Sequence, residues 1–271
     1  MQDISTTTVV DPSIIDFDSL TGVEGRVVIV TGAGQGIGRV FAHAFAAYGA
    51  VAVVADLDAG KAQEVAQEIR RQGGQAMAAA VDVGSDESLQ AMARVVFDAY
   101  GRIDVLVNNA GIFSTLAMRP FWEIPLDEWN QVMHVNITGV MLASRAVVPY
   151  MRQARWGRII NMSSASILMG RPNYLHYTTS KAALVGMTRS MARELGEDYI
   201  TVNAVMPGAV QTEIPRATVT AGQREAIVAR QCVPRPQVPQ DLVAAVLFLA
   251  SEGSRFMTGQ TMNLDGGASH I

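Results

Sequence analysis

The stretch VTGAGQGIGRVFAHAF, residues 30–45, decides the fold of this chain. It joins a β-branched run, RVVIVT at 26–31, to an amphipathic helical pattern, so a buried strand, a glycine turn and a helix follow one another. Glycines at such a turn let the backbone approach a pyrophosphate, which then faces the positive end of the helix. The spacing Gly32-x-x-x-Gly36-x-Gly38 departs from the common G-x-G-x-x-G pattern. The interpretation as a phosphate-binding turn therefore rests on the position of these glycines directly after the first strand. Dinucleotide binding is favoured, and a purely structural turn is the alternative.

Apolar runs alternate with helical patterns along the rest of the chain. Further strands are expected at 51–56, 75–83, 104–109, 157–163, 199–205 and 260–267, with one long helix from about Leu126 to Met151. Nearly continuous apolar strands are typical of a parallel sheet covered on both faces. We therefore predict an α/β fold, a single doubly wound Rossmann-like domain over 25–271 with a mostly parallel, seven-stranded sheet.

Composition limits the classes of protein and partner. The chain has 271 residues, 49% hydrophobic and 17% charged, with a net charge of -4, which argues against nucleic acid or an anionic membrane as partner. Its single cysteine, Cys232, excludes an internal disulfide and favours a cytoplasmic location. The apolar runs are shorter than the roughly 20 residues that span a membrane.

Two segments lie outside the regular pattern. Residues 1–24 lack the basic start and apolar centre of a signal peptide and are interpreted as an extension, with its order left open. Residues 207–239 contain five prolines and no clear strand, which is typical of a substrate lid, although an ordinary surface insertion is the alternative.

Asp56 ends the second predicted strand, twenty residues after Gly36. A carboxylate there can accept both hydroxyls of an adenosine ribose and would repel a 2′-phosphate, which favours NAD over NADP. Asp56 could instead cap the next helix, but Asp58 is better placed for that role.

Tyr177 and Lys181 are four residues apart in NYLHYTTSK, residues 173–181, and therefore lie on one face of the predicted helix. A phenol with a pKa near 10 needs roughly 4 kcal/mol of phenolate stabilisation to ionise near neutrality. One positive charge about 4 Å away provides about that much at an effective dielectric near 20. The pair can thus exchange a proton with an alcohol. A buried tyrosine beside a snorkelling lysine is the alternative.

Several motifs in the same order resemble those of the short-chain dehydrogenase/reductase family, over about Gly25 to Gly267. The carriers of this likeness are TGAGQGIG (31–38), NNAG (108–111), PGAVQT (207–212) and DGG (265–267). Asn136, Ser164, Tyr177 and Lys181 match the family's catalytic set, and Ser164 is preferred to its serine neighbours because it lies thirteen residues before Tyr177.

The resemblance implies roles for these residues. Ser164 would hold the substrate oxygen, Tyr177 would exchange the proton, Lys181 would bind the nicotinamide ribose, and Asn136 would keep a water behind the lysine. Asp82 would touch adenine, although as a bare residue it could equally cap a turn. The implied cofactor-binding residues are Gly32, Gln35, Gly36, Ile37, Gly38, Asp56, Leu57, Asp82, Val83, Asn109, Gly111, Tyr177, Lys181, Pro207, Gly208, Val210 and Thr212.

The expected substrate pocket is mostly apolar and contains no cluster of arginines: Phe113, Ser164, Leu168, Met169, Tyr174, Tyr177 and Ile214. We therefore expect a small hydrophobic secondary alcohol or its ketone, as in bacterial 1-phenylethanol-type alcohol dehydrogenases. A 3-oxoacyl-thioester reductase is the first alternative. A nicotinamide-binding redox sensor without catalysis is the second, although such a sensor has no evident need for the full catalytic set.

Assembly and metal content complete the prediction. The helix from Trp129 to Met151 is apolar around most of its circumference, which favours a contact beyond its own sheet, with burial under the N-terminal extension as the alternative. Together with the Tyr177 helix it could form a two-fold interface, and the family resemblance implies a homotetramer. The four histidines and Cys232 form no metal-ligand spacing, so no catalytic metal is expected.

Overall fold

A seven-stranded, all-parallel sheet forms the centre of the computed structural model, which describes residues 22–215 and 221–270. Its order is β3-β2-β1-β4-β5-β6-β7, so the winding direction reverses between β1 and β4. The predicted single doubly wound α/β fold is confirmed. The strands are β1 (Val27–Thr31), β2 (Val51–Asp56), β3 (Gln75–Ala80), β4 (Val105–Asn108), β5 (Gly157–Met162), β6 (Ile200–Pro207) and β7 (Thr261–Leu264).

Helices cover both faces of the sheet. They are α1 (Gly36–Ala47), α2 (Ala59–Arg71), α3 (Asp86–Tyr100), α4 (Leu126–Met133), α5 (Gly139–Ala154), α6 (Ser166–Met169), α7 (Leu175–Leu195), α8 (Ala221–Val228) and α9 (Gln240–Ala250). Short 3₁₀ turns occur at Phe121–Glu123, Gly196–Asp198 and Glu252–Ser254. Asp58 caps α2 by accepting a hydrogen bond from the amide of Lys61, as predicted.

The core consists of two apolar layers separated by the sheet. On one face, α1, α2 and α9 pack on the sheet through residues such as Phe41, Ile69 and Val246. On the other face, α3, α5 and α7 pack through residues such as Leu89 and Val147. Because side chains alternate along a strand, β1 contributes Val28 and Val30 to the first layer and Val27 and Ile29 to the second. This explains why the strand sequences are apolar without interruption.

The long predicted helix is continuous from Leu126 to Ala154 but contains a π turn at His134–Thr138 between α4 and α5. It is the one helix of the described residues that is long and apolar enough to cross a membrane, and half of its apolar window is buried inside the protein. Most of its apolar side chains pack within the chain itself, and Met141 is 39% exposed. Its apolar circumference is therefore mostly explained by the fold of one subunit.

The two irregular segments are described in part. Residues 1–21 of the predicted extension lie outside the described residues, whereas Val23 is buried in the first core layer. Residues 216–220 of the predicted lid also lie outside them, and the lid includes α8. A parallel bridge between Val210 and Gln237 joins the two ends of the lid next to the end of β6. The lid is thus anchored at its base.

Candidate active site

A cleft of about 650 Å³ lies at the carboxyl ends of the strands, where the winding direction reverses. This is the edge of a doubly wound sheet at which ligands bind. The predicted site residues that line the cleft are Gly32, Gln35, Ile37, Asp56, Leu57, Asp82, Val83, Asn109, Gly111, Phe113, Ser164, Met169, Tyr177, Lys181, Pro207, Gly208, Val210, Thr212 and Ile214. Residues from distant parts of the sequence thus meet at one surface.

Glycine is required in the turn between β1 and α1 for two reasons. Gly36 has a φ of +61°, a left-handed conformation that favours glycine. A Cβ atom on Gly38 would lie 2.3 Å from the carbonyl oxygen of Gly32, so α1 could not approach the turn so closely. Gly36 and Gly38 lie behind the wall of the cleft and determine its shape. The turn therefore places the first amides of α1 directly behind the cleft wall, and such amides are the kind of backbone that binds phosphate groups.

The Asp56 carboxylate is fixed at the end of β2. Its Oδ2 accepts a hydrogen bond from the Gly34 amide at 2.8 Å, and its Oδ1 accepts one from the Asp58 amide at 3.0 Å. Asp56 lines the cleft, and each of its oxygens keeps a further lone pair after these bonds. The carboxylate can accept hydroxyl groups there, as a dinucleotide ribose requires.

Asp82 caps a turn, one of the two roles that its sequence allowed, and it also lines the cleft. Its Oδ1 accepts a hydrogen bond from the Gly84 amide at 2.8 Å, which closes the turn after β3. That turn is the reason why β3 ends at Ala80, three residues before its predicted end.

The segment after β4 is fastened to the glycine turn by Asn109. The Asn109 Nδ2 group donates hydrogen bonds to the carbonyl oxygens of Thr31 and Gly32, at 3.0 and 3.1 Å. The Thr31 hydroxyl in turn accepts from the amides of Asn109 and Ala110, both at 3.1 Å. The NNAG motif therefore fixes two walls of the cleft relative to each other.

Tyr177 and Lys181 lie on one face of α7, as predicted. The Tyr177 ring packs against Phe113, with ring centroids 4.3 Å apart, and the Lys181 ammonium is 5.8 Å from the centre of the Tyr177 ring. Lys181 Nζ donates a hydrogen bond to the carbonyl oxygen of Met162 at 2.8 Å. Burial lowers the pKa of the Lys181 ammonium to about 8. The lysine is therefore charged at neutral pH but loses its charge at moderately alkaline pH.

Ser164 follows β5 and faces the same cleft. Its hydroxyl oxygen accepts a hydrogen bond from the Ser166 amide at 3.2 Å, so the hydroxyl proton is available to a substrate oxygen. Ser163 points the other way, because its hydroxyl donates to the Lys181 carbonyl oxygen at 2.7 Å. The preference for Ser164 thus agrees with the direction of the two side chains.

Asn136 is fully buried in the π turn of the long helix. Its Oδ1 accepts from the Ile112 amide at 2.7 Å, and its Nδ2 donates to the Ile112 carbonyl oxygen and to the Ser180 hydroxyl at 3.2 and 3.1 Å. A Cβ atom on Gly111 would lie 3.2 Å from Asn136 Oδ1 and 3.4 Å from Lys181 Nζ. Asn136 therefore holds the loop after β4 against α7, beside Lys181.

Two predicted pocket residues do not line the cleft. Tyr174 is 1% exposed and belongs to a small apolar cluster with Leu116 and Val132, one layer behind Phe113. Leu168 is 38% exposed on α6 and is not one of the residues that line the cleft. In the structure, Tyr174 packs behind Phe113, and Leu168 lies on the single turn of α6.

Polar residues that the sequence analysis missed also line the cleft: Glu128, Gln131 and Arg171. Arg171 stacks on the Tyr174 ring, with Cζ 4.6 Å from the ring centroid. Glu128 lies 3.2 Å from the buried His176 and 3.5 Å from Arg119. A signal existed in the sequence only for Glu128, which is acidic in the first turn of α4.

Comparison with known proteins agrees with this geometry. Residues 32–269 match a family model described as enoyl-(acyl carrier protein) reductase. The chain is 36% identical over 252 residues to the (2S)-[(R)-hydroxy(phenyl)methyl]succinyl-CoA dehydrogenase subunit BbsD of Thauera aromatica, covering 92% of this chain and 98% of that protein. It is 37% identical over 246 residues to the 3-oxoacyl-[acyl-carrier-protein] reductase FabG of Pseudomonas aeruginosa, covering 90% and 98%.

Solved structures show the same similarity. A 7α-hydroxysteroid dehydrogenase complexed with NADH and 7-oxo glycochenodeoxycholic acid superposes with a TM-score of 0.88 at 33% identity, covering 95% of this chain and 99% of that one. A putative NAD(P)-dependent gluconate 5-dehydrogenase from Beutenbergia cavernae, with bound NADP, gives a TM-score of 0.85 at 36% identity, covering 92% and 98%.

Proposed function

The chain belongs to the short-chain dehydrogenase/reductase family of NAD(P)-dependent oxidoreductases acting on CH–OH groups, and on that basis we propose that it uses NAD to interconvert a hydrophobic secondary alcohol and its ketone. The observation that carries the proposal is that Ser164, Tyr177 and Lys181 line the same cleft as Asp56 and the glycine turn. The bound nicotinamide would supply the hydride acceptor or donor.

The residues of the cleft have complementary tasks in this proposal. Ser164 donates a hydrogen bond from its hydroxyl group to the substrate oxygen and stabilises negative charge there. Tyr177 takes the proton of the alcohol, or returns it to the ketone, while the Lys181 charge favours the phenolate form. Asn136 is a positioning residue, since its bonds to Ile112 and Ser180 hold the wall next to Lys181.

Preference for NAD rests on the fixed carboxylate of Asp56. Because two backbone amides hold it, the side chain cannot turn away from a 2′-phosphate without losing both bonds. We expect a higher kcat/KM with NAD than with NADP, and a smaller ratio between them in Asp56→Asn. An unchanged ratio in that variant would show that Asp56 does not select the cofactor.

The proposed substrate class is supported by the apolar residues of the cleft wall, which include Ile112, Phe113, Leu116 and Ile214. Apolar walls bind hydrocarbon groups by removing them from water. The test is to incubate the protein with NAD and a panel of secondary alcohols of increasing apolar size while following nicotinamide absorbance, with Tyr177→Phe as the inactive control. Equal activity of that control would exclude the assignment of Tyr177.

A second candidate, reduction of a 3-oxoacyl thioester, is favoured by Arg171. Its guanidinium lies at the cleft and makes no ion pair within residues 22–215 and 221–270, so it can bind the phosphate of a thioester carrier. If this candidate is correct, Arg171→Gln raises KM for a 3-oxoacyl-CoA but not for the N-acetylcysteamine thioester of the same acyl group, which lacks phosphate. Equal KM changes for both substrates would contradict it.

We also propose that the protein assembles as a homotetramer. The support is the partly exposed Met141 on α5 together with Val95 on the neighbouring α3, which is 52% exposed. Light scattering should give four times the mass of one chain. A stable monomer would contradict this proposal.

A further inference from the structure

The lid places a carboxylate on the first amide of α1. The amide of Gly36 donates a hydrogen bond to Oε1 of Glu213 at 2.8 Å. The first turn of α1 contains no acidic residue, and its N-cap residue, Gln35, makes no capping bond with its side chain. Glu213, which is distant in sequence, therefore provides the negatively charged hydrogen-bond acceptor that the first residues of α1 do not provide themselves.

Neighbouring residues of the lid keep Glu213 over the glycine turn. A Cβ atom on Gly36 would lie 2.8 Å from Ile214 Cδ1 and 3.9 Å from Thr212 Cγ2, so both side chains cover this glycine. The lid is anchored two residues before Glu213, where the Gln211 amide donates to the Gln237 carbonyl oxygen at 2.8 Å. The carboxylate is thus held by a short, fastened segment.

A pyrophosphate would need the same amide. One N–H group cannot donate a full hydrogen bond to both the Glu213 carboxylate and a phosphate, and these two negative groups repel each other when both lie next to the Gly36 amide. The nearby cations are already engaged: Arg39 binds Glu68 at 2.8 Å, and Lys61 donates to the side chain of Gln35 at 2.9 Å. They do not remove the conflict between Glu213 and a phosphate.

We propose that Glu213 determines cofactor affinity by occupying the phosphate position on Gly36, from which it must move before a dinucleotide can bind. The inference rests on the cofactor site of the proposed function but concerns binding and not hydride transfer. When only a fraction of the protein molecules can bind a ligand, the apparent Kd equals the intrinsic Kd divided by that fraction and is therefore higher. Removing the charge of Glu213 therefore enlarges the competent fraction.

The test is a fluorescence titration of the full-length protein with NADH. We expect Glu213→Gln to lower the Kd by about 3- to 10-fold, the range of the net contribution of one hydrogen bond, because glutamine removes the charge but can still accept from the Gly36 amide. Glu225→Gln is the matched control, because Glu225 is an exposed glutamate of α8 that makes no side-chain bond within the described residues. Adenosine is the matched ligand, since it lacks phosphate, and its Kd should be the same in all three proteins.

Stopped-flow binding separates this role from a general loosening of the lid. If Glu213 blocks entry, its replacement raises the association rate constant of NADH and leaves the dissociation rate constant unchanged. The inference is overturned if Glu213→Gln binds NADH no more tightly than the wild type, if Glu225→Gln shows the same gain, or if adenosine gains equally. Tight NADH binding without oxidation of any alcohol would contradict the proposed substrate class and leave the role of Glu213 intact. If none of the three proteins binds NADH, both the proposed function and the role of Glu213 are overturned.

Discussion

Replacing Lys181 by methionine should stabilise the cofactor-free protein at neutral pH although it removes a residue of the candidate site. Burial lowers the pKa of Lys181 from 10.5 to about 8. One pKa unit corresponds to about 1.4 kcal/mol, so holding the charged lysine in the folded protein costs roughly 3 kcal/mol at pH 7, where both states are protonated. The lost hydrogen bond to the Met162 carbonyl offsets about 1–3 kcal/mol of this gain.

The pH dependence isolates the contribution of the charge. Between about pH 8 and 10.5 the unfolded chain binds the lysine proton and the folded protein does not, so the wild type becomes more stable as the pH rises through this window. At pH 9.5 only about 1 kcal/mol of the cost is left. The stability of the wild type relative to Lys181→Met should therefore rise by about 2 kcal/mol between pH 7 and pH 9.5.

Thermal unfolding followed by circular dichroism at the two pH values measures this difference. For a chain of this size, 2 kcal/mol corresponds to a change of about 4–8 °C in the difference between the two Tm values. Lys61→Met is the control, because Lys61 is the only other lysine in the sequence and its side chain is 45% exposed. A Tm difference between wild type and Lys181→Met that does not depend on pH would refute the argument from burial.

Three further predictions concern the cleft. Tyr177→Phe should abolish turnover and leave the Kd for NADH nearly unchanged, as measured by steady-state kinetics and fluorescence titration. Asn136→Ala should lower the free energy of unfolding by about 2–4 kcal/mol, since all three hydrogen bonds of this fully buried side chain are lost, and urea unfolding checks this. Gly38→Ala should abolish NADH binding because its Cβ would clash with Gly32, whereas Gly186→Ala, in open space on α7, should raise the free energy of unfolding by up to about 1 kcal/mol.

The parallel sheet covered on both faces could be predicted because the strand residues are apolar without interruption. Predicted and observed strand ends agree within three residues. The differences of three residues occur at β7 and at β3, where Asp82 closes a turn that an apolar run does not reveal. The residues around the cleft could be predicted as one site because parallel strands end at the same edge of the sheet. The direction of individual side chains, in contrast, required the structure.

Three features show why the rest could not be predicted. The apolar pattern of Leu126–Ala154 continues without a break through the π turn at His134–Thr138. The sequence therefore gives no sign of the extra residue in that turn, which is recognised only in the structure, where Asn136 is buried. Tyr174 could equally have faced the cleft, and its burial depends on Phe113 in front of it. Contacts between distant segments, such as Glu213 with Gly36, leave no local pattern in the sequence.

The π turn allows one helix to serve two separate packing surfaces. Upstream of it, Val132 packs in the small cluster beside the cleft, and downstream, Leu142 and Val147 pack against the sheet. A turn with one residue more than an α turn rotates the next part of the helix by about 100°. Deleting one residue from 134–138 would restore a regular α-helix and rotate its first half, with Val132, away from the small cluster beside the cleft. The number of residues in this turn, and not only their identity, therefore connects the packing beside the cleft to the packing against the sheet.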